Sequence, residues 1–211
     1  MSDTWKSVLA PLPLIAILRG LRPENAESIV GALRDAGFRA VEVPLNSPEP
    51  LKSIEIAQRA FGEDMLVGAG TVLSLRDVLQ VRDAGGRMIV SPNADEAVIK
   101  ATKSLNLISI PGVATPSEAF AAYGAGADML KLFPAEILPP VAVKAWRAVL
   151  PPDLWLFAVG GINPQNMAPY LAAGANGFGL GSALFKSDLT ADDVAGNAEK
   201  FISAYRSEMR S

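Results

Sequence analysis

The chain has 211 residues, of which 50% are hydrophobic and 19% are charged, so it can bury one large core and does not have the composition of a disordered protein. Its net charge of -3 argues against a general nucleic-acid or membrane-surface binder, which would need a basic face. The absence of cysteine and histidine excludes disulfide scaffolds, thiol nucleophiles and the usual zinc ligands, and leaves proton transfer to Glu, Asp, Lys, Tyr or water.

Short apolar segments that are typical of buried strands alternate with amphipathic segments that are typical of helices along the whole sequence. In chain order, the predicted strands cover residues 14–18, 40–43, 65–69, 87–90, 107–110, 129–133, 154–159 and 177–180. The predicted helices that alternate with them cover residues 23–36, about 48–60, 94–103, about 140–150 and about 191–206, and three more begin near Ser74, Thr115 and Asn163. A short helix is also predicted over residues 2–10, ahead of the first strand.

This alternation predicts parallel βαβ units, and about eight of them favour a closed barrel over an open sheet. The chain contains no linker, low-complexity stretch or charge block. The sequence therefore predicts an α/β protein with one (β/α)8 TIM-barrel domain over residues 1–211 and a short N-terminal helix. Because the N-terminus lacks the pattern of a signal peptide and no apolar segment is long enough to span a membrane, we expect a cytoplasmic protein.

Lys131 interrupts the apolar sixth predicted strand. In a TIM barrel, the active site forms at the C-terminal ends of the strands and in the loops that follow them. Burial lowers the pKa of a lysine and so favours the free amine that attacks a carbonyl group. Lys131 is therefore a candidate nucleophile. The alternative is a lysine whose ammonium group reaches solvent or forms a buried ion pair.

Three further polar residues lie at the ends of apolar strands. Glu42 lies in the second strand, where apolar surroundings raise the pKa of a carboxyl group and suit it to acid/base catalysis. Arg19 ends the first strand and is suited to bind a carboxylate through two hydrogen bonds. Thr71 follows the third strand and is a candidate hydrogen-bond partner of a substrate. The alternatives are an ion pair of Glu42 with Arg19 or Lys131, and for Thr71 a small residue in a tight turn.

Two glycine-containing loops follow the seventh and eighth predicted strands, at residues 159–163 and 179–182. Loops at these two places form the recurring phosphate site of TIM barrels. Glycine lets backbone N–H groups approach an anion, and a helix N-terminus favours negative charge. Ser182 adds a hydroxyl donor. The pair of loops therefore predicts a phosphate site, and the alternative is that both turns need glycine for steric reasons alone.

Seven segments, in order along nearly the whole chain, carry a resemblance to a known family: residues 13–20, 42–48, 67–72, 90–93, 111–118, 130–135 and 158–162. Together they resemble the 2-keto-3-deoxy-6-phosphogluconate and 6-phosphogalactonate aldolases. The resemblance implies a class I aldolase that needs no metal or cofactor. It also implies that a phosphorylated 2-keto-3-deoxy sugar acid is cleaved to pyruvate and glyceraldehyde 3-phosphate, and that the chain forms a homotrimer.

The same resemblance implies a role for each candidate residue. Lys131 matches the Schiff-base lysine of the family, and Glu42 matches the acid/base residue that works with a bound water. The other matched residues are Arg19, Thr71 and Pro92 around the pyruvoyl group, Phe133 beside the lysine, and Gly160, Gly161, Gly181 and Ser182 at the phosphate.

Asn46 bears on the choice between the two substrate branches of the family. Phosphogluconate aldolases usually carry an arginine about four residues after the catalytic glutamate, whereas Asn46 occupies that place here and favours the galactonate epimer. Because epimers at one carbon can differ by a modest binding energy, the gluconate epimer stays open. Two other functions also stay open: a metal-free phosphosugar isomerase or epimerase in which Lys131 forms no imine, and a binding protein for phosphorylated metabolites without turnover.

Overall fold

The structure is a computed structural model and describes residues 4–209 of the chain. The strands are β1 (Leu14–Ile17), β2 (Ala40–Pro44), β3 (Leu66–Gly70), β4 (Met88–Val90), β5 (Ile108–Ile110), β6 (Gly112–Val113), β7 (Met129–Leu132), β8 (Trp155–Val159) and β9 (Gly177–Leu180). The α-helices are α1 (Thr4–Leu9), α2 (Pro23–Ala36), α3 (Pro50–Phe61), α4 (Leu75–Asp83), α5 (Glu96–Ser104), α6 (Pro116–Gly124), α7 (Pro140–Arg147), α8 (Met167–Ala172) and α9 (Ala191–Glu208). A 3₁₀ helix, η1, covers Ala135–Ile137.

The strands form one parallel sheet in the order β5-β4-β3-β2-β1-β9-β8-β7-β6. The two end segments, β5 and β6, are separated only by Pro111, and β5 pairs with β4 while β6 pairs with β7. Proline cannot donate a ladder hydrogen bond, so the strand predicted over residues 107–110 ends before Pro111, and β6 is a further short strand that the sequence did not predict. The carbonyl of Pro111 still accepts from the N–H of Lys131 at 2.9 Å. These contacts close the sheet, and the predicted (β/α)8 TIM barrel is confirmed.

Local signals in the sequence explain where several helices begin and end. Helix α2 begins at Pro23 and ends before Gly37, whose φ of 120° is in the left-handed range that favours glycine. Helix α6 is preceded by the predicted capping box, in which the Thr115 hydroxyl accepts from the N–H of Glu118 and the Glu118 carboxylate accepts from the N–H of Thr115. The predicted helix starts and ends at these points are therefore confirmed.

Helix α8 begins at Met167, and the prediction that it starts at Asn163 is wrong. The backbone N–H of Asn163 donates to the Asn166 side-chain oxygen at 2.9 Å, and the N–H of Asn166 donates to the Asn163 carbonyl at 3.1 Å. Asparagine side chains offer the backbone such turn hydrogen bonds in competition with a helix. At the N-terminus, α1 begins at Thr4, so the first two residues of the helix predicted over residues 2–10 lie outside the described residues.

The N-terminal end of the barrel is closed by aromatic side chains. Trp5 of α1 is buried and packs edge-to-face on Trp155, with ring centroids 5.3 Å apart. Trp155, the first residue of β8, stacks on Phe157 at 6.1 Å. Trp5 and Phe157 belong to a cluster of buried apolar side chains from α1, from β1 to β5 and from β7 and β8, which fills the barrel interior, and Trp155 packs against it. Because the interior is packed from this end, a ligand can reach it only from the C-terminal ends of the strands.

Candidate active site

Lys131 and Glu42 both lie inside the barrel, on the third residues of β7 and β2. Their side chains are only 7% and 2% exposed. Both line a cavity of about 510 Å³ that opens among the loops after the strands. A buried polar side chain is unfavourable unless it is paired or neutral, so two of them beside one cavity indicate chemistry rather than packing.

Burial lowers the pKa of Lys131, and the nearby guanidinium of Arg19 lowers it further, although the Glu42 carboxylate acts in the opposite direction. The lowered pKa increases the fraction of free amine at neutral pH. The Nζ atom of Lys131 lies 4.4 Å from the centre of the Phe133 ring. The structure therefore places Phe133 beside the lysine, and a ring face at this distance attracts the ammonium form.

Burial raises the pKa of Glu42 from 4.5 to about 7, although Lys131 and Arg19 both lower it. Its Oε2 atom is buried and has no hydrogen-bond partner within residues 4–209. The ion pairs of the described residues include neither Glu42 nor Lys131. The structural ion pair that the sequence left open is therefore not formed. A carboxyl group that titrates near neutral pH is suited to both donate and accept a proton.

Arg19 and Asn46 form a contact that the sequence did not predict. Nη1 of Arg19 donates to Oδ1 of Asn46 at 2.7 Å, and the N–H of Gly20 donates to Oγ of Ser47 at 3.0 Å. Arg19 lines the cavity, whereas Asn46 is not among the lining residues. Asn46 therefore fixes the direction of the guanidinium at the rim.

Thr71 and Pro92 lie at the ends of β3 and β4 but are not among the residues that line the cavity. Thr71 has a φ of 57°, a left-handed conformation that is unusual for a β-branched residue. Such strain clusters at functional sites, where the surrounding structure holds it. Ser91 is the residue before Pro92, and its hydroxyl donates to the Val72 carbonyl at 2.8 Å. This hydrogen bond links the loop after β3 to the loop after β4.

The two glycine loops come together at one side of the cavity, where Gly160, Gly161, Gly181 and Ser182 are all lining residues. Gly160 and Gly161 have φ values of 110° and 63°, which favour glycine. Among the described residues, the backbone N–H groups of Gly161 and Ser182 have no hydrogen-bond acceptor outside the strand ladders. Converging unpaired N–H groups form an anion-binding concavity. The geometry therefore fits the predicted phosphate site.

Two charged residues of the cavity were missed by the sequence analysis: Lys186 and Glu136. Lys186 follows Ser182 in the loop after β9, and its position after the predicted phosphate loop could have identified it as a site residue. Glu136 belongs to η1, and its carboxylate packs against Gly160 and Gly161. The Tyr170 hydroxyl holds this segment by donating to the carbonyl of Ala135 at 2.8 Å. No sequence pattern predicted the 3₁₀ turn.

Within residues 4–209, no cluster of three or more acidic side chains could hold a metal ion.

Comparison with known proteins gives consistent matches over nearly the whole chain. A family model described as KDPG and KHG aldolase matches residues 6–199. The chain is 51% identical over 193 residues to the probable 2-dehydro-3-deoxy-6-phosphogalactonate aldolase of Rhizobium meliloti (strain 1021), covering 92% of this chain and 91% of that protein. It is 46% identical over 195 residues to the 2-dehydro-3-deoxy-6-phosphogalactonate aldolase of Escherichia coli (strain K12), covering 92% and 95%. A solved structure described as native KDPGal has a TM-score of 0.93 and 45% identity, covering 95% and 97% of the two chains.

Proposed function

The chain belongs to the KDPG and KHG aldolase family, and we propose that it is a class I aldolase that cleaves 2-dehydro-3-deoxy-6-phosphogalactonate to pyruvate and D-glyceraldehyde 3-phosphate. One observation carries the proposal: Lys131 and Glu42 are buried beside the same cavity without an ion-pair partner in residues 4–209, and the pKa of the lysine is lowered while that of the carboxyl is raised. The names of the galactonate-type relatives support the choice of substrate.

The first half of the proposed reaction forms an imine on Lys131. The free amine attacks the C2 carbonyl of the substrate, and loss of water gives a protonated imine that withdraws electrons from the neighbouring carbon. Arg19, Thr71 and Pro92 contact the pyruvoyl end in this proposal. Because Phe133 lies beside Nζ, its ring stabilises the positive charge that the nitrogen carries as the imine.

The second half breaks the C3–C4 bond. Glu42, directly or through a water, takes the proton of the C4 hydroxyl, and the bond electrons move into the imine to give an enamine on Lys131. The aldehyde then leaves as glyceraldehyde 3-phosphate. Glu42 returns a proton to C3 of the enamine, and water hydrolyses the imine to release pyruvate and the free lysine. A carboxyl group with a pKa of about 7 suits both transfers.

The phosphate is proposed to bind at Gly160, Gly161, Gly181 and Ser182. The unpaired N–H groups there support this assignment, and Lys186 adds a positive charge at the same end of the cavity. Binding energy from this remote group positions C2 against Lys131 and C4 against Glu42, where the bonds change.

The preference for the galactonate epimer is tested by measuring pyruvate release from both epimeric 6-phosphates. We expect a higher kcat/KM for the galactonate epimer, with Asn46 acting at the rim through Arg19. A higher kcat/KM for the gluconate epimer would reassign the chain to the other branch. Isomerisation without pyruvate release would support the isomerase alternative. Binding without turnover would support the alternative of a binding protein for phosphorylated metabolites.

Replacing Lys186 with alanine is expected to lower kcat/KM for the 6-phosphate about 10-fold, because one charge-assisted contact to the phosphate is lost. Activity on the unphosphorylated 2-keto-3-deoxy acid should change much less. Steady-state kinetics on both compounds make the test. Lys144→Ala is the matched control, since Lys144 is an exposed lysine of α7 that does not line the cavity. An equal loss on both compounds would contradict the assignment of Lys186.

We also propose that the chain assembles as a homotrimer. Two separate surface areas carry exposed apolar side chains: Leu73 and Leu75 at the start of α4, and Phe120 and Tyr123 on α6. Patches at different places on one subunit suit a head-to-tail contact, and such contacts close into rings. This arrangement favours a cyclic ring over a two-fold dimer, and the number of three copies follows from the resemblance to the aldolase family.

The expected result of Phe120→Glu is a monomer, because a charge would be buried in the contact between copies. Light scattering after gel filtration should give about three times the 22.2 kDa chain mass for the unaltered protein and one chain mass for the variant. Val149→Glu, at an exposed residue after α7, is the control and should stay trimeric. A wild-type mass of one or two chains would rule out the trimer.

The remaining proposals concern the chain as a whole. Residues 1–211 are proposed to act as one catalytic domain in the cytoplasm, with neither nucleic acid nor membrane as a partner. The net charge of -3 supports the absence of a nucleic-acid partner. No helix within residues 4–209 is both long and apolar enough to cross a membrane.

A further inference from the structure

Gly70 is the last residue of β3 and lies beside the strand that carries Glu42. In the register of β2 and β3, Glu42 is opposite Gly68 and Pro44 is opposite Gly70. Gly70 is buried, and its φ is outside the left-handed region that favours glycine. The backbone there would accept any small side chain, so the reason for glycine must be found in its neighbours.

The neighbour that a side chain on Gly70 would meet is the carboxylate of Glu42. A Cβ atom added to Gly70 would overlap Oε2, Cδ and Oε1 of Glu42, which are the three nearest atoms. Gly68 differs, because a Cβ there would overlap the backbone of Met88. Strand packing therefore explains Gly68, whereas the nearest atoms to the space at Gly70 all belong to the Glu42 carboxylate.

No hydrogen bond to another described residue holds the Glu42 carboxylate in place. Its Oε2 is buried without a partner among the described residues, and the side-chain hydrogen bonds include none to Glu42. The position of the carboxylate is therefore set by the shape of its surroundings, and the bare Cα of Gly70 leaves the space in which the carboxylate lies.

We infer that Gly70 is a positioning residue: its missing side chain lets the Glu42 carboxylate stand against β3, at the place from which it transfers protons. The inference rests on the proposed function, because it takes Glu42 as the acid/base group. A methyl group on residue 70 displaces the carboxylate into the cavity, away from that place and towards the substrate.

The test compares Gly70→Ala with Gly196→Ala as a matched control. A Cβ on Gly196 of α9 would meet no atom within 4 Å. For Gly70→Ala, we expect kcat to fall on the order of 100-fold, the scale of a catalytic group displaced by about 1 Å, with a smaller change in KM. Exchange of the pyruvate methyl protons with deuterated water should fall by a similar factor. Borohydride trapping of pyruvate on Lys131 should persist, and Gly196→Ala should behave as the unaltered protein.

A double-mutant cycle with Glu42→Ala separates positioning from a structural role. Without the Glu42 carboxylate, Gly70→Ala should change kcat and methyl exchange by less than about two-fold. The same loss in both backgrounds would overturn the inference, as would near-normal activity of Gly70→Ala. If Gly70→Ala fails to fold, a folded Glu42→Ala/Gly70→Ala protein would confirm the contact, and an unfolded one would refute it. Failure of the unaltered protein to trap pyruvate would instead refute the aldolase function. In that case the contact would still be tested by the thermal unfolding midpoints of the unaltered protein, the two single variants and the double variant.

Discussion

Replacing Lys131 with alanine is expected to remove the aldolase activity, with a fall in kcat of roughly 10⁴-fold or more, because the covalent intermediate cannot form without the amine. Borohydride added with pyruvate should attach a covalent mass to the unaltered protein and none to the variant. Mass spectrometry of the intact and digested protein makes the measurement and locates the modified residue. A chelator should leave the activity of the unaltered protein intact, since no step of the proposed reaction uses a metal.

Two controls separate this loss from misfolding. Lys144→Ala removes an exposed lysine and should keep full activity and trapping. Lys131→Met keeps the length and apolar stem of the side chain among its buried neighbours, so it should fold as the unaltered protein and remain inactive. Full activity in Lys131→Ala, or a pyruvate adduct on another lysine, would refute the assignment of the nucleophile.

Replacing Glu42 with glutamine should lower kcat by about 10²- to 10⁴-fold, the range for a positioned general acid or base. Glutamine cannot take the C4 hydroxyl proton or return one to C3, but it leaves the Lys131 amine in place. Pyruvate trapping should therefore persist while cleavage and methyl exchange are lost. Loss of trapping with retained folding would place Glu42 in imine formation rather than in proton transfer.

The pH dependence follows from the direction of the two pKa shifts. Because the pKa of Glu42 is raised to about 7, its base form is lost as the pH falls through that value, and kcat/KM should fall with it. Glu42→Gln should abolish this dependence. Glu42 also raises the pKa of Lys131, so its removal should let trapping with pyruvate continue to a lower pH. A rise of kcat/KM below pH 7 would contradict the role of Glu42 as a base.

Stability provides an internal control for the same variant. The folded-state pKa of Glu42 is raised above its value of 4.5 in the unfolded chain, so its contribution to stability is present below pH 4.5 and is lost as the pH rises through about 7. Glutamine carries no charge to bury. Glu42→Gln should therefore be the more stable protein above pH 7, and its loss of activity there cannot come from unfolding.

The sequence was sufficient to find Lys131 and Glu42 because both break an apolar strand pattern, and a broken pattern is a local signal. The Pro23 and Thr115 signals were also local, and they correctly gave the starts of two helices. In contrast, the hydrogen bond from Arg19 to Asn46 joins two loops 27 residues apart. Its formation depends on how β1 and β2 pair, which the pattern of either strand alone does not determine.

The errors have physical reasons of the same kind. Asn163 was taken as a helix cap, but the competing hydrogen bonds with Asn166 delay the helix to Met167. Glu136 was missed because its place at the cavity depends on a 3₁₀ turn held by the distant Tyr170 hydroxyl. The roles of all the candidate site residues stay predictions, and Thr71 and Pro92 do not line the cavity beside Lys131 and Glu42.

Trp5, Trp155 and Phe157 close one end of the barrel and so determine the order in which reactants can enter and leave it. With one end sealed, everything enters and leaves by a single mouth. Lys131 is buried deep in that passage, whereas the glycine loops are nearer its opening. In the proposed reaction, the aldehyde phosphate must depart before the keto acid can follow. In the synthetic direction the keto acid must load first, and aldehyde phosphate that arrives early blocks its way to the lysine.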